Sequence, residues 1–118
     1  MTEIINSGPI NMAIPGKTLI HTVDQDCLLP MFNIFVNSYD KVEGFPIISI
    51  GSNYPYYDNL VKAVSLQKLI EVQDYMTLVD HGERKKEVVG GDEIYLNVLA
   101  PITAGQMEIT AFGSGFTI

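Results

Sequence analysis

The residues able to do chemistry are few and scattered. His21 and His81 are the only histidines and Cys27 the only cysteine, whereas a zinc site takes about four Cys or His ligands at defined spacings. Zinc is therefore excluded. His21 lies within an alternating segment, His81 stands beside Gly82 in a turn, and Cys27 reads as a small buried hydrophobe with no disulfide partner in the chain. Asp24 and Asp26, in VDQDC, point to calcium only if a loop supplies about six oxygens in all. No glycine-punctuated acidic loop does so, and the pair reads as a polar turn. FGSGF carries Gly113 and Gly115 like a fragment of a phosphate loop, but phosphate binding needs the N-terminus of a following helix, and none is expected before Ile118. These glycines are expected to permit a bulge or a close backbone approach in a final strand. No GxSxG occurs and Cys27 has no visible base. No catalytic residue, metal ligand or cofactor is assigned.

Charge narrows the partners. Fourteen acidic against seven basic residues give a net charge of −7, the wrong sign for nucleic acid, whose phosphates require clustered cations. Three of the basic residues, Arg84, Lys85 and Lys86, fall together in HGERKKE, flanked by Glu83 and Glu87. The cluster reads as a solvated hairpin tip or as an electrostatic contact to an acidic protein surface. With 118 residues and 47% apolar content, the chain fits one domain around one core. No apolar run approaches the roughly 18 residues of a membrane span, and the N-terminus has no basic region followed by an apolar core. A soluble protein made in the cytosol is expected.

The elements that must position any site read as strands. Lys17 to Val23 alternates, with Leu19, His21 and Val23 on one face and Thr18, Ile20 and Thr22 on the other; two partly apolar faces suggest a central strand. After Pro30, MFNIFVNSYD places Phe32, Ile34 and Val36 on one face against Asn33 and Asn37. EGFPIISIG ends at Gly51, EIYLNVLAP sets Ile94, Leu96 and Val98 opposite Tyr95, Asn97 and Leu99, and GQMEITAFG sets Met107, Ile109 and Ala111 opposite Glu108, Thr110 and Phe112. Short strands separated by Gly, Pro, Asn and Asp indicate an all-β, single-domain antiparallel β-sandwich, jelly-roll-like. DNLVKAVSLQKLIEVQ fits either an amphipathic helix starting at Asp58 or a strand over 60–66, a turn at Gln67 and Lys68, and a second strand over 70–79. Its β-branched Val61, Val64 and Ile70 favour strands.

Two segments are candidates for contact. Residues 1–12 read as an extended N-terminal arm on a sandwich spanning 13–118, because MTEIINSGP shows no strand alternation and is set off by Gly8 and Pro9. Such an arm is either a frayed terminus or a segment that buries Ile4 and Ile5 on a neighbouring subunit. The other segment, GSNYPYYDN over 51–59, holds three of the six tyrosines. It connects two strands, with Pro55 fixing a turn; Tyr57 is expected to tuck against the core edge and Tyr54 and Tyr56 to stay near the surface, where tyrosine favours protein contact.

The stretches IPGKTLIHTV, PIISIGSN, YYDNLVKAVSL and GGDEIYLNVLAPITAGQMEITAFG together resemble small β-sandwich virion proteins of phages, found as capsid cement or decoration subunits and as parts of head and tail fibres. The resemblance runs from about Ile14 to Gly113. It implies a non-enzymatic homotrimer on the capsid surface, made in the host cytoplasm, that binds the major capsid protein and bridges neighbouring capsomers. Ile4, Ile5, Tyr54, Tyr56, Arg84, Lys85 and Lys86 are then the expected subunit or capsid contacts. The alternative within the same resemblance is a fibre or spike domain whose Tyr54, Tyr56 and Tyr57 stack on host glycans.

Overall fold

The computed structural model describes residues 2–72, 75–79 and 87–117. Along the chain come β1 (Thr2–Asn6), β2 (Ile10–Asn11), β3 (Gly16–Thr22), β4 (Cys27–Glu43), β5 (Ile47–Gly51), β6 (Val61–Ser65), α1 (Gln67–Val72), β7 (Tyr75–Val79), β8 (Glu87–Val88), β9 (Glu93–Ala100) and β10 (Ala104–Thr117). One sheet has the order β1-β10-β4-β7, with β2 added to β10 and β8 to β4; the other has the order β3-β9-β5-β6. Every pairing is antiparallel.

The partners nest. β5 pairs with β6, β4 with β7, β3 with β9 and β1 with β10, as in one long hairpin whose tip lies between Gly51 and Val61. Rolling that hairpin over distributes its strands between two sheets, which is the jelly-roll arrangement. The expected all-β sandwich is therefore the observed fold. No helix among the described residues is long and apolar enough to cross a membrane.

The core forms where the inward faces meet. Ile5, Phe32, Ile34, Met107, Ile109 and Ala111 come from the first sheet, and Ile20, Ile48, Ile50, Ile94, Leu96 and Val98 from the second. The alternation read in β4, β9 and β10 is the alternation observed, since the inward-facing set is buried on β9 and β10 and, on β4, at Phe32 and Ile34, with Val36 half-buried against the core. Gly113 and Gly115 let strands approach closely, as expected: a Cβ on Gly113 would lie 2.7 Å from Cε1 of the buried Phe32 ring. The register of β10 against β4 also shifts between Ser114 and Phe116.

Three expectations are corrected. Residues Thr2–Asn6 read as having no strand alternation, but they form β1, with Glu3 and Ile5 turned inward and Ile4 and Asn6 outward. A carboxylate in an inward position hid this alternation. Lys17 to Thr22 lie in β3, an edge strand whose register against β9 shifts between Leu19 and His21, so Ile20, with Val23 just beyond the strand, is buried. One extra residue breaks the period of two. Residues 61–65 form a strand as favoured, but 67–72 form a helix in place of the turn and the start of a second strand. Ser65 Oγ accepts the Gln67 N–H at 3.2 Å, and Leu69 is buried, so a side-chain cap and one core anchor suffice for this short helix.

Glu3 fastens β1 to the opposite sheet. Its Oε1 lies 2.7 Å from His21 Nε2 and accepts the Asp24 backbone N–H at 2.8 Å. The backbone N–H, followed by His21, holds the Glu3 carboxyl below its ordinary 4.5.

Two outcomes follow from this packing. Strand propensity alone would make Gly113→Ala neutral or stabilising, but the clash with Phe32 makes it destabilising by about 1–3 kcal/mol; a urea denaturation midpoint that does not fall would refute the tight approach. Because the folded pKa of Glu3 is depressed, its contribution is complete above 4.5 and is lost as pH falls through the folded value. Thermal unfolding followed from neutral to acid pH should show this loss, and Glu3→Gln should flatten that part of the profile.

Candidate functional site

The tip of the rolled hairpin is the tyrosine segment. Its path is fixed by two asparagines that replace backbone pairing with side-chain bonds. Asn53 Oδ1 accepts the N–H groups of Asp58 and Asn59 at 2.7 and 3.1 Å, and its Nδ2 donates to Asp58 Oδ1 at 2.9 Å. Asn59 Oδ1 accepts the Ser52 N–H at 2.7 Å, and its Nδ2 donates to Ser52 Oγ at 3.2 Å. Both are turn bonds that Asn makes readily. The Tyr57 N–H donates to the Asn53 carbonyl at 2.7 Å, the Tyr54–Pro55 peptide bond is cis, and Tyr57 has a φ of 51°. A Cβ on Gly51 would collide with Asn59 and the Tyr57 backbone, so glycine is required where the strand enters the loop.

This path sorts the three tyrosines. Tyr57 is buried, with its ring centroid 4.8 Å from that of Tyr95 on β9. Lys17 on β3 donates to the Tyr57 hydroxyl at 2.8 Å, with its ammonium 4.8 Å from the Tyr57 centroid and 4.6 Å from that of Tyr95. The bond to Tyr57 holds the Lys17 ammonium above its usual range. Cation–π attraction and a hydrogen bond thus tie the loop to the second sheet. Ser49 Oγ adds a bond to the Tyr56 carbonyl at 2.6 Å. Tyr54 and Tyr56 are left 84% and 62% exposed on an anchored loop.

The other expected contact residues separate. Ile4 is 68% exposed, whereas Ile5 is fully buried in the core of its own chain. Arg84, Lys85 and Lys86 lie outside the described residues, as does His81. The acidic pair is divided between tasks: Asp26 Oδ1 accepts the Gly90 N–H at 2.9 Å, while the Asp24 N–H goes to Glu3. Among the described residues no three His, Cys, Asp or Glu side chains come together as a metal site. Burial, aided by Glu3 and Asp26, pushes the Cys27 thiol up, so it is held in the un-nucleophilic form.

Sequence reasoning missed Lys17, because only the pairing of β3 with β9 brings it to Tyr57, 40 residues away. It also missed an outward-facing apolar row, Met31 and Phe35 on β4 with Phe112 and Phe116 on β10. The signal was present in the same alternation that revealed the core, at the positions between the inward residues.

No protein-family model and no curated protein matches this sequence. Solved structures do match in fold. A chain in the capsid asymmetric unit of cyanophage Pam1 superposes with a TM-score of 0.70 over 99% of this chain and 85% of its own, at 6% identity. A chain in the acid-stable capsid structure of Helicobacter pylori bacteriophage KHP30 superposes with a TM-score of 0.71 over 98% of this chain and 87% of its own, at 7% identity. The sandwich described here is a fold shared, nearly end to end, with chains of two phage capsids.

Proposed function

We propose that this protein is a non-enzymatic structural subunit of a phage virion and, more narrowly, a capsid cement or decoration subunit. The observation that carries the proposal is the end-to-end fold match to chains in two phage capsid structures. Fold alone does not assign function, but the site favours the same reading. Its exposed groups are tyrosines and aliphatic side chains suited to protein contact. A cement subunit must resist shear between capsomers that packaged DNA pushes apart, which calls for a rigid body and extensive contact area. The sandwich supplies the rigid body. Residues 1–12, through Ile4, and the tip, through Tyr54 and Tyr56, supply contacts to the major capsid protein, with Arg84, Lys85 and Lys86 as a basic contact; the protein acts as a homotrimer on the capsid surface.

A fibre or spike role is the second reading, and one observation favours it. Tyr54 and Tyr56 project from an anchored loop, and jelly rolls also serve as lectin domains.

An electron-microscopy map of the native particle tests the proposal. Density for this chain repeating with the capsid lattice is expected; density restricted to a vertex, tail or fibre would overturn the cement role. A glycan screen tests the second reading. Because both side chains are exposed, Tyr54→Ala and Tyr56→Ala should shift stability by no more than about 0.5 kcal/mol, so glycan binding abolished by either change would favour the fibre domain.

A further inference from the structure

Few contacts hold β1 to the rest of the sandwich. Among the described residues it is an edge strand, paired with β10 along one side only. Ile4 and Asn6 face solvent, Ile5 is buried in the core, and Glu3 is 8% exposed. One apolar side chain and one carboxylate therefore fasten the strand across the layers. At its end Ser7 is pinned to β10, where its N–H donates to the Ala111 carbonyl at 3.0 Å and its Oγ accepts the Ala111 N–H at 2.8 Å. Meanwhile β10 does not depend on β1 for its place in the sheet, since its other side pairs with β4 from Ala104 to Thr117. Local opening begins at such units, which have few buried contacts and neighbours that stay folded without them.

Of the two anchors only the carboxylate depends on pH. Glu3 Oε1 meets His21 Nε2 at 2.7 Å and accepts the Asp24 N–H at 2.8 Å. An ionised carboxylate can only accept, so Nε2 is the donor, and the charge is what makes both bonds strong. The titratable groups around this corner are His21 on β3, Asp24 and Asp26 in the connection to β4, and Cys27 on β4, whose thiol responds to the Glu3 charge. Gly115 stands opposite Glu3, so β10 contributes none. Farther along, Glu93 on β9 pairs with Thr22, and Glu87 on β8 pairs with Leu28. Among these groups His21 alone can carry positive charge. Protonating Glu3 takes away its anion, and Asp26 already accepts the Gly90 N–H. Breaking a part-buried pair in this way leaves the remaining partner uncompensated.

We propose that Glu3 is an acid-sensitive latch, whose protonation lets β1 swing out from its junction with Ser7 while the rest of the sandwich stays folded. Opening exposes Ile5 and bares the β10 edge from Phe112 to Phe116. The direction follows from linkage. Released, Glu3 titrates at its ordinary 4.5; latched, it titrates lower. The latch is therefore fully closed above 4.5, and opening grows by up to about tenfold per pH unit as pH falls from there to the latched value. Below the latched value the dependence on Glu3 ends.

Amide hydrogen exchange of the full chain, followed by NMR from neutral to acid pH and expressed as protection factors, tests the latch. The β1 amides that pair with β10 are expected to lose protection as pH falls below 4.5, while amides of β4 and β9 keep theirs. Glu3→Gln, the uncharged isostere, should raise β1 opening at neutral pH by at least about tenfold, abolish its pH dependence and leave β4 and β9 protected. Should that variant fail to fold, the wild-type profile decides alone. Loss of protection by β1, β4 and β9 together at every pH would overturn the latch, because only global unfolding would then be at work. So would β1 amides unprotected in the wild type at neutral pH, or a Glu3→Gln β1 as protected as the wild type. Exchange in the isolated chain does not depend on where it sits in a particle, so failure of the latch is separable from failure of the virion reading.

Discussion

The pairing of β10 with β1 on one side and β4 on the other is the constraint from which the rest of the architecture follows. β10 is the last strand of the chain and β1 the first, so joining them closes the nested hairpin and commits the intervening strands to two layers. The closure is specified twice. Met107, Ile109 and Ala111 face the core at a spacing of two, and a slip by one residue would turn all of them to solvent. Gly113 and Gly115 then admit Phe32 and Leu29 where any side chain would collide. Glu3 adds a bond across the layers, tying the first strand to His21 and to the chain after β3.

Closing the roll leaves the tip between β5 and β6 as the place where the chain reverses with no strand beyond it. Such a tip would ordinarily be mobile. Here Asn53 and Asn59 satisfy backbone donors that no strand can reach, and Lys17 holds Tyr57 against Tyr95. The result is a loop whose two remaining tyrosines are presented from a fixed frame. An exposed aromatic that is already ordered loses less entropy on binding than one on a flexible loop. The same frame serves a protein partner or a sugar ring.

How much of this was legible in the sequence depends on whether each strand obeys its own period. β4, β9 and β10 do, and their inward residues were readable from alternation alone. β1 conceals its period because Glu3 takes an inward position that is tolerable only with His21 and the Asp24 N–H as partners. β3 conceals its own through the irregularity at Ile20. The segment after β6 is six residues of helix, too short for a periodic signal and decided by tertiary packing of Leu69. Of the candidate site, the division of the tyrosines could be anticipated from the turn residues around them. Lys17 could not, since its role exists only once two distant strands are paired.

The distribution of charge carries the last step. An acidic surplus makes copies of a chain repel wherever their acidic surfaces meet. On the outer face of the first sheet charge and apolar surface are segregated: Met31, Phe35, Phe112 and Phe116 cluster together, with Glu87 on β8 and Glu108 on β10 at the margins. The β-strand period makes that segregation simple to encode. On β4 and β10 the inward residues build the core while the alternate residues, Met31, Phe35, Phe112 and Phe116, form a second apolar surface on the same strands. Over 31–35 and 112–116 these two strands thereby carry large apolar side chains on both faces, interrupted on the outer one by Asn33 and Ser114. The chain itself covers only one of those sides.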